Sequence, residues 1–144
     1  MNAPSALVID DEPAIRELLE ITLNRMGVEV RSAGSLEEAR RLLAAGEFDL
    51  CLTDMRLPDG DGLDLVDHIQ ATVPAMPVAV ITAHGNMEAA IRALKSGAFD
   101  FVSKPLDLNV LRALVTTALR LRAQDAPERR SRDVLLGESA AMRE

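Results

Sequence analysis

Three short apolar runs constrain this chain more than anything else in it: Leu7-Val8-Ile9, Leu50-Cys51-Leu52 and Val78-Ala79-Val80-Ile81. None alternates polar with apolar positions, so each reads as a strand buried on both faces. Amphipathic stretches separate them. Pro13 to Met26 puts Ile15, Leu18, Leu19, Leu23 and Met26 on one face, with Pro13 in the first turn and Gly27 as the stop. Ser35, followed by Glu38 three residues on, has the pattern of a capping box for a helix reaching about Ala45. A third helix spans about Gly62 to Thr72 with Leu65 and Ile69 inward. In a fourth, Met87, Ala90, Ile91 and Leu94 fall at helical spacing, and Gly97 closes it. Val28 to Val30 supplies a short second strand and Phe99 to Ser103 a fifth. A last helix begins at Asp107 or Asn109 and reaches about Arg122.

Strands alternating with helices predict βαβ units, and hence an α/β fold with a parallel sheet. Right-handed crossovers cover both faces with helices. The expected architecture is a flavodoxin-like, doubly wound, five-stranded parallel sheet of strand order 2-1-3-4-5. Its switch point lies between the first and third strands, at their carboxyl ends. The domain occupies residues 1–123. Residues 124–133 are polar, contain Pro127 and read as a linker. Residues 134–144 turn partly apolar again and are too short for a domain.

Charge narrows the functions. Lys plus Arg is 16 against 23 Asp plus Glu, a net charge of −7, so bulk electrostatics cannot hold a phosphate backbone. Any contact with DNA would come from another part of a larger protein. Aromatic residues make up 2%, which argues against a base-stacking platform. Cys51 is the single cysteine; it excludes an internal disulfide and points to a reducing, cytoplasmic setting. The amino terminus has no basic stretch, so no signal peptide is expected. The longest apolar stretch, Met76 to Ala83, contains Pro77 and is too short to cross a bilayer. A soluble protein without a membrane partner is expected.

The unusual residues fall at the carboxyl ends of the strands. Asp10, Asp11 and Glu12 follow the first, Asp54 the third, Thr82 the fourth and Lys104 the fifth. A parallel sheet brings these ends to one edge. Like charges about 4 Å apart at an effective dielectric of about 20 cost roughly 4 kcal/mol per pair, so protons or a cation must relieve them. Oxygen-only ligands favour a hard ion, Mg²⁺ or Mn²⁺. With an ammonium and a hydroxyl beside them, the set suits phosphoryl transfer, and one carboxylate can serve as nucleophile.

These residues sit in the motifs VIDDEP (8–13), TDMRLPDGDGLDL (53–65), ITAHG (81–85) and SKP (103–105). With them, Ala6 to Arg122 resembles the receiver domain of two-component response regulators. The resemblance implies that Asp54 is phosphorylated by a sensor histidine kinase. Asp10, Asp11 and Asp54 would bind Mg²⁺ together with the carbonyl of Arg56. Thr82 and Lys104 would contact the phosphoryl group, and Thr82 and Phe101 would form the switch. Arg56 and His84 would tune dephosphorylation, and the Lys104–Pro105 bond would be cis. The tail LLGESAAMRE resembles the start of the AAA+ ATPase domain of sigma-54 activators, which makes 134–144 the beginning of a truncated domain. DNA and sigma-54 RNA polymerase would then be reached only through domains missing from this chain. The segments ELLEITLNRM, FDLCLTDMRLPDGDGLDLV and ALKSGAFDF narrow the resemblance to regulators of pilus genes.

Plainer readings stand beside these. Asp10 and Asp11 alone could be helix-capping acids. PDGDG is first of all a turn, Cys51 a core residue, and His68 a solvated one. In the last helix, Leu111, Leu114, Ala118 and Leu121 form one stripe, and Leu108, Val115 and Leu119 a second. Either both cover the sheet, or one is left for a homodimer contact within residues 86–122. Rival functions are a stand-alone receiver acting by protein binding and a Mg²⁺-dependent phosphohydrolase, whose DxDxT motif is missing. A flavin protein would need aromatic residues around its ring.

Overall fold

The structure, a computed structural model, describes residues 3–83 and 85–124. The expected role of His84, the linker beyond Gln124 and the 134–144 segment lie outside the described residues. The elements run β1 (Ser5–Ile9), α1 (Pro13–Arg25), β2 (Glu29–Ala33), α2 (Leu36–Ala45), β3 (Leu50–Asp54), β4 (Arg56–Leu57), β5 (Gly60–Asp61), α3 (Gly62–Thr72), β6 (Val78–Thr82), α4 (Met87–Ser96), β7 (Asp100–Ser103) and α5 (Leu108–Gln124). The main sheet has the order β2-β1-β3-β6-β7, every neighbouring pair parallel. Counting its five strands alone, this is the expected order 2-1-3-4-5. The pair β4–β5 is a two-residue antiparallel ladder formed by the loop read as a turn.

The unbroken apolar runs do what their lack of alternation requires. Every residue of β3 and β6 is buried, as are Ala6 to Ile9 of β1. Alternate residues feed two cores. On one face Leu7, Ile9, Cys51, Val78 and Val80 pack under α2, α3 and α4. On the other, Val8, Leu50, Leu52 and Ile81 pack under α1 and α5. Full burial of such a side chain stabilises by roughly 1.5–3 kcal/mol. The edge strands differ. β2 alternates in burial and continues through Arg31 and Ser32 to Ala33, past the expected end at Val30, because an edge strand tolerates solvated polar residues.

Capping follows the sequence closely. Ser35 Oγ accepts from the Glu38 amide at 3.2 Å, while Glu38 Oε1 accepts from the Gly34 amide at 3.0 Å. Asp107, not Asn109, starts α5: its Oδ1 accepts from the Asn109 and Val110 amides at 2.9 and 3.3 Å. Burial decides between the two readings of α5. Leu111, Leu114, Val115 and Ala118 are buried, and Leu108 and Leu119 pack against the same core, so both stripes cover the sheet. Among the described residues, the exposed large apolar side chains gather on α4, where Met87, Ile91 and Leu94 are 61, 47 and 41% exposed, with Val110 of α5 and Ile21 of α1 standing singly.

Candidate functional site

Asp10 is the first residue beyond β1. Its amide donates to the Ala33 carbonyl at 3.1 Å, extending the ladder with β2, and its side chain is wholly buried. Oδ1 accepts from the Glu12 amide at 2.9 Å. Oδ2 is buried and has no hydrogen bond among the described residues; the Lys104 ammonium approaches it as an ion pair at 3.4 Å. Asp11 and Glu12 are exposed, and one carboxylate oxygen from each lies within 4.8 Å of the others and of Asp10's. None of these acids caps α1, whose N-cap position is Glu12 without a side-chain bond. The plain capping reading of Asp10 and Asp11 therefore fails.

Asp54 ends β3, almost buried. Its Oδ1 accepts from the Arg56 amide at 3.3 Å and its Oδ2 from Lys104 Nζ at 3.2 Å. Gly62 allows this loop to close: a Cβ there would stand 2.0 Å from the Asp54 carbonyl oxygen. Lys104 directly follows β7 and precedes the expected cis bond to Pro105. Its amide donates to the Thr82 carbonyl at 2.9 Å, and its ammonium also meets Glu12 Oε2 at 3.0 Å. One cation thus joins three carboxylates, two from the loop after β1 and one from the end of β3. A cleft of about 300 Å³ opens beside them, lined by Asp11, Glu12, Asp54, Arg56, Asn86 and Lys104. Two larger grooves, about 520 and 600 Å³, lie at the opposite edge around Phe48 and Arg122, away from this cluster.

The electrostatics follow the geometry. Burial pushes the Asp10 carboxyl up to about 6, and the charge of Asp54 adds to this; the Glu12 amide and Lys104 oppose it. For Lys104, burial alone would lower the pKa. Hydrogen bonds to Glu12 and Asp54, with the charges of Asp54 and Asp10, outweigh it and raise the pKa, so the ammonium stays charged. Burial raises the Cys51 thiol, which leaves it an inert core group.

The remaining expected residues are placed as follows. Thr82 ends β6, buried, with its hydroxyl 3.4 Å from both the Val102 carbonyl and Ser103 Oγ; no hydrogen bond joins it to Asp54 among the described residues. Phe101 is half-buried against the α2–α4 core. The Arg56 side chain is exposed at the cleft. Asp59, in the segment whose composition signals only a turn, has two oxygens that accept from the Leu36 and Glu37 amides at 2.8 and 3.0 Å. These amides hold its carboxyl below the usual range. The pairing of Glu12 with Lys104 at 3.0 Å joins two residues that the shared edge of the strand ends brings together.

The family described as "Response regulator receiver domain" matches residues 6–116, and the chain belongs to that family. Over 143 residues it is 62% identical to the response regulator protein PilR of Pseudomonas aeruginosa, covering 99% of this chain and 32% of PilR. The DNA-binding transcriptional regulator NtrC of Azospirillum brasilense is 37% identical over 150 residues, covering 100% of this chain and 31% of NtrC. Among solved structures, the beryllofluoride-activated NtrC4 receiver domain dimer superposes with a TM-score of 0.77 at 32% identity, covering 82% of this chain and 98% of that one. The chain is a receiver domain of the PilR/NtrC type and spans about a third of the length of these curated relatives. Among the described residues, no helix is long and apolar enough to cross a membrane.

Proposed function

We propose that this chain is the phospho-acceptor switch of a cytoplasmic sigma-54 activator, with Asp54 as the nucleophile. The observation that carries this reading is Lys104, whose ammonium lies 3.0–3.4 Å from carboxylate oxygens of Asp10, Glu12 and Asp54 at the mouth of a cleft. The buried Oδ2 of Asp10, without a hydrogen bond, and the oxygen-only donor set fit a hard divalent cation. Asp10, Asp11, Asp54 and the Arg56 carbonyl would hold Mg²⁺ or Mn²⁺. When bound, the ion supplies charge neutralisation for the phosphoryl oxygens.

A sensor histidine kinase, PilS-like by the similarity to PilR, presents phosphohistidine. The Asp54 carboxylate attacks phosphorus in line. A P–O bond forms as the P–N bond breaks, and the imidazole leaves as the neutral base after taking up a proton. Lys104 meets the charge of the transferring group. The acyl phosphate adds about two negative charges at the end of β3. Its oxygens then compete with β7 for the Thr82 hydroxyl, whose present bonds are long at 3.4 Å. Turning Thr82 toward them frees space on the side of β7, where Phe101 stands two residues before Ser103, the ladder partner of Thr82. Arg56 at the cleft and His84 set the lifetime of the phosphoryl group. The output is a change in homodimer packing within residues 86–122, to which the exposed Met87, Ile91 and Leu94 contribute. That change controls a downstream ATPase and DNA-binding segment acting at pilus genes.

Incubation with acetyl phosphate and Mg²⁺, followed by intact mass measurement, tests this. One phosphoryl mass of about 80 Da is expected, with none in Asp54→Asn. Repeated turnover without a trapped adduct would favour a phosphohydrolase, and an unchanged Asp54→Asn would remove Asp54 from the role.

A further inference from the structure

We infer that Arg16 is a positioning residue for the cation site; this rests on the reading of that site given above. Asp10 has four hydrogen-bonding groups at this position. Its amide donates to the Ala33 carbonyl at 3.1 Å. Its Oδ1 accepts from the Glu12 amide at 2.9 Å. Its carbonyl, where the chain leaves the sheet, accepts from Arg16 Nη1 at 2.6 Å. Among the described residues the buried Oδ2 has no hydrogen bond and meets only the Lys104 ammonium, as an ion pair at 3.4 Å. The residue is held on three sides, and the hold sets the direction of this oxygen.

Of the three holds, the Arg16 arm alone comes from a side chain. Arg16 is half-buried in α1, with its own amide bonded to the Glu12 carbonyl at 3.1 Å. Its side chain runs back toward the amino end of the helix, as helical side chains do. The guanidinium ends beside the turn between β2 and α2, where Gly34 leaves it room: a Cβ at that position would lie 3.1 Å from Nη1. A hydrogen bond from a charged donor is stronger than a neutral one. The peptide it holds leads directly into Asp11 and Glu12, so the same bond fixes the start of the loop that carries all three acids. Two residues from different elements, one cationic and one without a side chain, are thereby matched to one carbonyl oxygen.

Groups that orient a metal ligand without touching the metal change affinity by roughly 10–100-fold. Mg²⁺ is titrated into the metal-free protein while the Asp11 and Glu12 amides are followed by NMR, in wild type, Arg16→Met, Arg16→Lys and Gly34→Ala. Arg16→Met is expected to weaken Mg²⁺ binding about tenfold. Arg16→Lys, which keeps a cationic donor, recovers part of the loss, and Gly34→Ala shows a smaller weakening. In metal-free Arg16→Met the Glu12 amide exchanges with solvent faster than in wild type, while β3 and α3 amides stay protected. An unchanged Kd in Arg16→Met, or faster exchange spread over the whole sheet, overturns the inference. If wild type itself fails to bind Mg²⁺, the site reading falls; faster Glu12 exchange in Arg16→Met would still support the hold on Asp10.

Discussion

Two acid-rich loops lie at the same edge of the sheet and use their carboxylates in opposite ways. In the loop between β3 and α3, Asp59 takes two amides of α2 and Asp61 takes the Leu63 amide of α3. In the loop between β1 and α1, Asp10 is buried, keeps Oδ2 without a hydrogen bond and caps no helix. The titration of the two follows. Helix amides lower the pKa of Asp59, whereas burial raises that of Asp10 to about 6. Acids near a helix start do not in themselves make a site. What sets Asp10 apart is a buried carboxylate oxygen that shares an ammonium and has no hydrogen bond among the described residues.

The contrast can be broken first at Asp10. Its folded pKa lies above its unfolded value of 3.8, so the folded form binds the proton more readily. Its contribution therefore favours folding at low pH and is lost as pH rises from about 4 through about 6. In metal-free protein at pH 7, Asp10→Asn removes that cost, a stabilisation on the order of 3 kcal/mol. Urea unfolding of both proteins at pH 4 and pH 7 checks this: the gain appears at pH 7 and shrinks at pH 4. Equal stability at pH 7 would mean that Lys104 fully compensates the buried charge.

A smaller effect of opposite sign belongs to Asp59. Its depressed pKa stabilises the folded state above the ordinary carboxylate value of 3.8, and the contribution is lost as pH falls below that value through the lower folded one. Asp59→Ala should lower the melting midpoint slightly at neutral pH and speed exchange of the Leu36 and Glu37 amides, leaving Mg²⁺ affinity unchanged. A loss of Mg²⁺ binding in this variant would show that the two loops are not separable.

Much of this was legible in the sequence because burial leaves a strong pattern. Unbroken runs such as Val78 to Ile81 give the interior strands, and in a parallel sheet the next residues must share an edge, which collects Asp10, Asp54 and Lys104. What was hidden depends on contacts that neither period nor spacing encodes. Asp59 caps a helix 23 residues upstream, and turn composition carries no trace of that. The polar half of β2 looks like loop because its side chains are solvated. Two stripes on α5 fit a core or a partner equally well until the width of the sheet beneath is known. Arg16 looks like any charged helix residue, since its partner is a backbone oxygen.

The most direct test converts the acceptor itself into a stable mark. The protein is incubated with acetyl phosphate and Mg²⁺, reduced with borohydride to turn an acyl phosphate into homoserine, and mapped by tandem mass spectrometry. The expected result is conversion of residue 54 alone, dependent on Mg²⁺. Conversion at position 10, 11 or 59, or equal labelling without the ion, would contradict the assignment.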